Sequence, residues 1–180
     1  MTLAELNALE PARFAAALTG VVEHSPWIAA SASDRRPFRT IDELHAALVE
    51  AMESAPADAQ LALLRAHPEL ASKAAMRGEL TAQSNREQNG AGLTRCTAAE
   101  FARLCALNHA YQAKFGFPFI IAVKGLSRTE IIERCAERLE RDAATEFAAA
   151  LAEVARIARF RLEALLEGEP GGSPGRARVR

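Results

Sequence analysis

The feature that most constrains the fold of this chain is a helix-start signal that recurs along it. The signal is Ser or Thr followed three positions later by Glu, a pair that can cap the first turn of a helix. It occurs at Thr40, Ser84, Thr97 and Ser127. Elsewhere, apolar positions recur three and four residues apart, and strand-like alternation is rare. The pattern predicts an all-α protein.

The same signals predict a single compact domain of about eight helices. A chain of 180 residues, 49% of them hydrophobic, is long enough to bury a core. Residues 2–23 are predicted to form one or two helices, with Pro11 in a first turn, and Pro26 starts a short one. The other helices are predicted over Thr40 to about Glu53, over 56–66, from near Ser84, from Thr97 through Lys114, from Ser127 to about Arg141, and from about Ala144 to Glu167.

Two stretches depart from the helical pattern. Residues 115–125 read FGFPFIIAVKG, where Gly116 and Pro118 oppose a helix and β-branched residues follow. We expect an extended buried segment there, whose backbone N–H and C=O groups could bind a flat heterocycle. Residues 168–180, GEPGGSPGRARVR, have little to bury and predict a disordered tail after a helical domain at 1–167.

Charge and cysteine usage limit the possible partners. The net charge of -1 gives no electrostatic reason to bind nucleic acid or an anionic membrane. The three cysteines form no C-x-x-C pair, and the four histidines lack the spacings of common metal sites. No apolar run reaches membrane-spanning length. We therefore expect a soluble cytoplasmic protein without a metal centre.

His67 is a candidate for acid–base chemistry. Pro68 disfavours the α conformation at the residue before it, so the helix over 56–66 should end near His67. The dipole of that helix would favour the charged imidazolium, which beside a carboxylate could act as a proton donor. A single histidine at a helix end is nevertheless more often structural, and we regard His24 as structural for the same reason.

A polar cluster follows 17 positions after His67, at Ser84, Glu87 and Gln88. On spacing alone, Ser84 and Glu87 form another capping box. The small residues that come next, at 90–92, would allow another backbone to approach closely. Helix N-terminal amides also suit an anionic or carbonyl ligand. The cluster is therefore either a cap or part of a binding site.

Two arginines in the last predicted helix are further candidates. Arg159 and Arg161 are two residues apart, so they point to different sides of the helix. At most one of them should reach a given pocket. The other is expected to be solvated or to pack through its aliphatic stem.

Four motifs together carry a family resemblance: HPEL at 67–70, SNREQNGAGL at 84–93, LNHAYQAKFGFPFIIAVKG at 107–125 and ARFRL at 158–162. In this order they resemble the 2-oxo-4-hydroxy-4-carboxy-5-ureidoimidazoline (OHCU) decarboxylases. The resemblance runs from about residue 10 to 167. It implies an all-α homodimer that converts OHCU to (S)-allantoin and CO₂, the last step from urate, without a metal or organic cofactor.

The resemblance also implies roles for individual residues. His67 would be the proton donor, and Glu87 would fix the imidazole or the substrate hydroxyl. Arg161 is favoured over Arg159 because it directly precedes Leu162 in the family's R-L pair. The remaining substrate-binding residues would be Pro68, Ser84, Asn85, Arg86, Gln88, Phe119, Ile120, Ile121, Ala122, Val123 and Arg161.

Two alternatives belong to other functional classes. The first is a helical ligand-binding or regulatory module without catalysis, which should tolerate His67→Asn. The second is another small helical enzyme that uses a thiol, which replacement of the three cysteines would test.

Overall fold

A computed structural model describes residues 1–72 and 79–166, and in these ranges the chain folds into nine α-helices and no β-strand. The helices are α1 (Leu3–Asn7), α2 (Pro11–Ala17), α3 (Pro26–Ser33), α4 (Ile41–Glu53), α5 (Ala57–Ala66), α6 (Ala82–Gly90), α7 (Ala98–Phe115), α8 (Arg128–Leu139) and α9 (Ala143–Leu166), with a 3-10 turn at Leu93–Arg95 between α6 and α7. The all-α prediction is confirmed, with nine helices in place of about eight. The predicted tail at 168–180 lies outside the described residues.

Three of the four predicted capping signals begin helices where expected. Thr97 and Ser127 each form a complete capping box with the Glu three positions later, as Thr2 also does at the start of α1. Thr40 accepts a hydrogen bond from the backbone of Glu43, so α4 begins where the pattern predicts. These starts depend on side chains within one turn, which is why the sequence reveals them.

The start of α6 differs from the prediction. The N-cap is Thr81, whose hydroxyl accepts a hydrogen bond from the backbone N–H of Ser84 at 3.2 Å. The helix therefore begins at Ala82, and Ser84 lies inside its first turn. The interpretation of Ser84 as a cap is wrong, and its hydroxyl is available for other contacts.

The long helix α9, of 24 residues, packs against α4, α5 and α7. Helix α8 packs against α7, while α3 packs against α2 and α4. Helix α3 starts at Pro26 as predicted and runs to Ser33, because Ala29 and Ala32 are small enough to pack into the core. The buried face of α9 carries Val154, Leu162 and also Arg161. A charge on such a face must be paired.

The non-helical segment is present as predicted. It starts at Gly116, which ends α7 with a φ of 78°, a conformation that glycine adopts without steric cost. Its side chains over 117–123 are buried. Arg138 donates to the carbonyl of Ile120 at 2.8 Å, and Glu153 accepts from the backbone N–H of Ala122 at 2.7 Å. Side chains therefore replace the sheet partners that an extended segment normally requires.

No helix in the described ranges combines the length and the apolarity needed to cross a bilayer.

Candidate active site

A small cavity lies where the end of α5, helix α6, the extended segment and α9 meet. Its volume is about 30 Å³, room for little more than a water molecule. It is lined by His67, Pro68, Leu70, Ser84, Glu87, Gln88, Phe119, Ile120, Ile121, Val123, Ile157 and Arg161. The predicted site residues that do not line it are Asn85, Arg86 and Ala122.

His67 is placed by the end of α5. The helix stops at Ala66, and His67 has an extended backbone, as the following Pro68 requires. The imidazole Nδ1 lies 3.4 Å from the carbonyl oxygen of Leu63, one turn back. Because a carbonyl can only accept, Nδ1 carries the proton in this contact. In the neutral ring, Nε2 is then free to take up a proton.

The environment of His67 opposes its charge. The side chain is buried, and this burial lowers the pKa of His67 below its ordinary value; the positive charge of Arg161 acts in the same direction. The Leu63 carbonyl and the carboxylates of Glu23 and Glu87 raise the pKa, but by less than burial lowers it. The expectation of an imidazolium stabilised by the helix end is therefore wrong for the free protein, because burial, the largest influence on the pKa, disfavours the charged ring.

Helix α6 presents Ser84, Glu87 and Gln88 on one face, since positions three and four apart are neighbours on a helix. Asn85 and Arg86 fall on other faces. The side chain of Asn85 donates to the carbonyl of Leu80 at 2.9 Å, and Arg86 is exposed. Helical spacing therefore explains why these two residues do not reach the cavity.

Gln88 holds the chain just after His67. Its Oε1 accepts a hydrogen bond from the backbone N–H of Ala71 at 3.0 Å. Ala71 has a φ of 50°, which is uncommon for a residue with a Cβ, and it is buried. Asn108 donates to the carbonyl of the preceding Leu70 at 2.8 Å. These two contacts maintain the turn that follows the histidine.

Arg161 is the cation of the site. Its Nε and Nη2 donate to the two carboxylate oxygens of Glu87, both at 2.7 Å. This two-point pairing is the strong form of a charge-assisted hydrogen bond. Burial opposes the charge of Arg161, but the contacts with Glu87 and Glu23 together outweigh it and raise the pKa above its ordinary value. Arg159 faces the surface, where it pairs with Glu163 and Asp42.

Glu23 is a member of this cluster that sequence reasoning missed. Only 3% of its side chain is exposed, and it lies 3.5 Å from Nη1 of Arg161. Its carboxylate accepts from the hydroxyl of Ser84 at 2.9 and 3.0 Å and from the hydroxyl of Thr81. An acid directly after the apolar pair Val21-Val22 was the available signal, because a carboxylate in an apolar stretch needs a buried partner.

The extended segment forms the apolar floor of the cavity. Phe119, Ile120, Ile121 and Val123 line it, whereas Ala122 lines a neighbouring hollow. The backbone N–H of Ala122 is already bonded to Glu153.

That neighbouring hollow is much larger, about 560 Å³, a size typical of ligand pockets. It shares Glu87, Val123, Ile157 and Arg161 with the small cavity. Arg86, Lys124 and Phe160 also line it. The ion pair of Glu87 and Arg161 therefore borders both spaces.

Together these groups combine a buried imidazole, a partly exposed carboxylate and a guanidinium above an apolar floor. Such a set can transfer a proton and can stabilise negative charge on a bound molecule. Within the described ranges, no three His, Cys, Asp or Glu side chains are grouped as a metal ion would require.

Comparisons with known proteins agree with these features. A family model for OHCU decarboxylase matches residues 7–163. The 2-oxo-4-hydroxy-4-carboxy-5-ureidoimidazoline decarboxylase of Haloferax volcanii is 40% identical over 162 residues, which cover 90% of this chain and 94% of that protein.

Two further matches involve longer proteins. The "Uric acid degradation bifunctional protein" of Bacillus sp. (strain TB-90) is 39% identical over 170 residues, and the chain covers 33% of its length. A crystal structure of (S)-allantoin synthase superposes with a TM-score of 0.75 at 29% identity, covering 93% of this chain and 55% of that one. The family model spans most of the chain, and a relative of similar length shares well over a third of its residues. This chain therefore belongs to the OHCU decarboxylase family.

Proposed function

We propose that this protein is a carboxy-lyase that converts OHCU to (S)-allantoin and CO₂ in urate degradation, without a cofactor. The observation that carries the proposal is the meeting of His67, Glu87 and Arg161 at one cavity. The names of the relatives, which refer to OHCU decarboxylation, uric acid degradation and (S)-allantoin synthesis, support the same substrate and product.

The substrate makes such a reaction possible without an added electron sink. When its C–C bond to the carboxylate breaks, CO₂ leaves and the electron pair stays on the ring carbon. Conjugated C=N and C=O groups of the ring can hold this charge as an enolate-like species. The electron pair passes to the neighbouring, ureido-bearing carbon as the hydroxyl-bearing carbon becomes a carbonyl. One proton then adds to one face of the ureido-bearing carbon, and the choice of face sets the S configuration.

His67 is the group proposed to deliver this proton. In the free protein its ring is biased towards the neutral form by burial. An anionic substrate favours the charged imidazolium, so binding should draw a proton from solvent onto Nε2. His67 then gives this proton to the ureido-bearing ring carbon, and each turnover consumes one proton. General acid catalysis of this kind contributes about 10²–10⁴-fold.

Glu87 and Arg161 are proposed to rearrange around the substrate. The small cavity cannot hold a substituted imidazoline, so the substrate must enter from the larger hollow, where Glu87 and Arg161 stand at the boundary. Glu87 would then accept a hydrogen bond from the substrate hydroxyl. The freed edge of Arg161 would donate to a ring or ureido oxygen, where charge grows, because a tight grip on the departing carboxylate would stabilise the ground state.

The other predicted residues take lesser roles in this proposal. Ser84, Gln88, the backbone of Pro68 and the floor at 119–123 would orient the planar ring. Arg86 and Ala122 line the larger hollow, where the substrate approaches. Asn85 would act indirectly, by holding the backbone before α6.

Three broader features belong to the proposal. The catalytic unit is the helical domain at 1–167, the protein works as a homodimer, and it acts in the cytoplasm. The family resemblance supports the dimer, and the three free cysteines suit a reducing compartment. Sedimentation of the purified protein would measure the oligomeric state directly, and a monomer at assay concentration would contradict the dimer.

The activity test uses urate oxidised in situ by urate oxidase and the next hydrolase. Circular dichroism follows the allantoin formed, and we expect (S)-allantoin to appear faster than the spontaneous racemic product. His67→Asn should lower the enzymatic rate by about 10²–10⁴-fold. His109→Asn, which changes an exposed histidine of α7, is the matched control. Full activity of His67→Asn would refute the proton-donor assignment, and a racemic product from the wild type would refute the function.

A further inference from the structure

Arg161 has two carboxylate partners that differ in burial. The Glu87 side chain is 31% exposed and borders both the small cavity and the larger hollow. The Glu23 side chain is 3% exposed and lines neither space. Only Glu87 is therefore placed to exchange its partner for a molecule that enters from the hollow.

The two acids also differ in how they are held. Glu23 accepts hydrogen bonds from Ser84 and from Thr81, the N-cap of α6. Its negative charge thus lies at the N-terminus of a nine-residue helix, where the helix dipole favours an anion. Glu87 has Arg161 as its hydrogen-bond partner within the described ranges. Glu23 is anchored by several groups, whereas Glu87 is held by one.

The guanidinium of Arg161 divides its N–H donors between Glu87 and the segment that contains Glu23. Nε and one hydrogen of Nη2 face Glu87, while Nη1 faces Glu23 and donates to the carbonyl of Gly20 at 3.3 Å. Nη2 also donates to the hydroxyl of Ser84 at 3.3 Å. The segment at 20–23 therefore holds one end of the guanidinium while Glu87 holds its other edge.

Arg161 needs a second counter-charge if Glu87 is to leave it. The Arg161 side chain is only 4% exposed, and a buried cation without a partner is strongly unfavourable. If Glu87 turned to a substrate and no other acid were near, Arg161 would be left in that state. With Glu23 in place, Arg161 keeps a counter-ion throughout.

We propose that Glu23 is a positioning residue: it is the permanent counter-ion of Arg161 and thereby allows Glu87 to exchange from Arg161 to the substrate. The inference rests on the proposed decarboxylase function and deepens it. Glu23 touches no reacting atom and acts through Arg161 and Ser84.

Glu23 also acts on His67 through its charge. The charged groups that face His67 are Arg161, Glu23 and Glu87, with both acids raising the pKa of the histidine and the arginine lowering it. Removal of the Glu23 charge should therefore make the imidazole harder to protonate. A residue that served only to pack the fold would not change this titration.

The first test compares Glu23→Gln with Glu53→Gln, a control that removes the charge of an exposed acid at the end of α4. In Glu23→Gln, Glu87 becomes the sole counter-ion and should stay on Arg161. We expect kcat to fall roughly tenfold to a hundredfold with a smaller change in KM, as for a misplaced catalytic group. The limb of the pH–rate profile that reports His67 should move to lower pH. Wild-type kcat and profile in a folded Glu23→Gln would overturn the inference.

The second test does not need activity. Titration of the His67 ring by NMR, assigned with His67→Asn, should give a lower pKa in Glu23→Gln than in the wild type, and no change in Glu53→Gln. An unchanged His67 titration in Glu23→Gln would overturn the electrostatic part of the inference. If the wild type makes no (S)-allantoin, the proposed function fails, and this titration still decides whether Glu23 acts on the site.

A third variant covers the case in which Glu23→Gln does not fold. Glu23→Asp keeps the charge but retracts it from Arg161 by one methylene. It should lower kcat while the His67 limb stays near its wild-type position. Wild-type kcat in folded Glu23→Asp would count against a positioning role.

Discussion

At the scale of single residues, burial decides the charge of His67. The end of α5 offers a favourable dipole worth about 0.3–1 kcal/mol to a cation at an exposed site. The imidazole is instead buried, and burial is the largest influence on its pKa. A neutral histidine that gains its proton only when an anion arrives is well suited to the proposed reaction, because the proton is then taken up together with the substrate.

This lowered pKa has a consequence for stability. The unfolded chain binds a proton at His67 below about pH 6.5, while the folded protein resists it, so acidification through that range favours unfolding. His67→Asn should remove this dependence. As the pH falls below about 6.5, the unfolding free energy of the wild type should decrease relative to that of His67→Asn by at most about 1.4 kcal/mol per pH unit. Urea denaturation over a pH series measures it, and parallel curves for the two proteins would contradict the assignment.

Gln88 provides a second prediction at this scale. Gln88→Leu introduces an apolar side chain of similar size and removes the acceptor for the buried N–H of Ala71. An unsatisfied buried donor costs about 1–3 kcal/mol, so the free energy of unfolding should fall by that amount. Gln112→Leu, on the exposed face of α7, should have little effect. Equal stability of the two variants would show that the Gln88 contact does not hold the turn.

At the scale of elements, buried side chains of α8 and α9 hold the extended segment in place. Arg138 donates to Glu146 at 2.8 Å and to the carbonyl of Ile120 at 2.8 Å, so one buried ion pair holds the backbone of the cavity floor. Tyr111 also donates to Glu146, and burial raises the pKa of that phenol, which keeps it a donor. The floor therefore depends on α8 and α9, through Arg138, which is 18 positions from Ile120, and through Glu146.

Arg138→Met tests this support. Glu146, which is fully buried, would keep the Tyr111 hydroxyl and only the more distant cation Arg141 at 3.4 Å, so we expect a loss of about 3 kcal/mol in the free energy of unfolding. The decarboxylase rate should also fall, because the floor loses its anchor. Arg35→Met breaks an exposed pair with Glu50 and should cost about 1 kcal/mol or less. Thermal or urea unfolding measures both, and similar losses in the two variants would contradict the buried-anchor interpretation.

At the scale of the whole molecule, the site draws on distant parts of the chain. Glu23 comes from the connection before α3, His67 from the end of α5, Glu87 from α6 and Arg161 from α9. A ligand bound at the cavity that these residues build should stabilise the fold as a unit, since it binds only the folded state. We expect (S)-allantoin to raise the melting temperature, with about 2.7 kcal/mol of stabilisation at a hundredfold excess over its Kd.

The enantiomer is the control for that measurement. (R)-allantoin presents the same groups with the wrong hand at the protonated carbon, so its shift should be clearly smaller at equal concentration. Equal shifts for the two enantiomers would argue against a site that sets the configuration of the product.

Local sequence was sufficient for the helical class and for most helix starts. A Thr97 or Ser127 cap depends on residues within one turn, and Pro68 restricts the backbone of its neighbour His67 wherever the chain goes. The spacing of Arg159 and Arg161 likewise implied that they face different ways. Each of these features depends on groups a few residues apart, which is the range over which sequence and conformation are directly coupled.

Long-range packing was needed for the rest. Ser84 has the spacing of a cap, yet its hydroxyl bonds Glu23, which is 61 positions away. The charge preference of His67 reversed because residues remote in sequence exclude water from it. The partners of Arg161 and Glu23 follow from the path of α9 across the core. Burial and charge pairing depend on distance in space, and no local pattern in the chain encodes which distant groups meet.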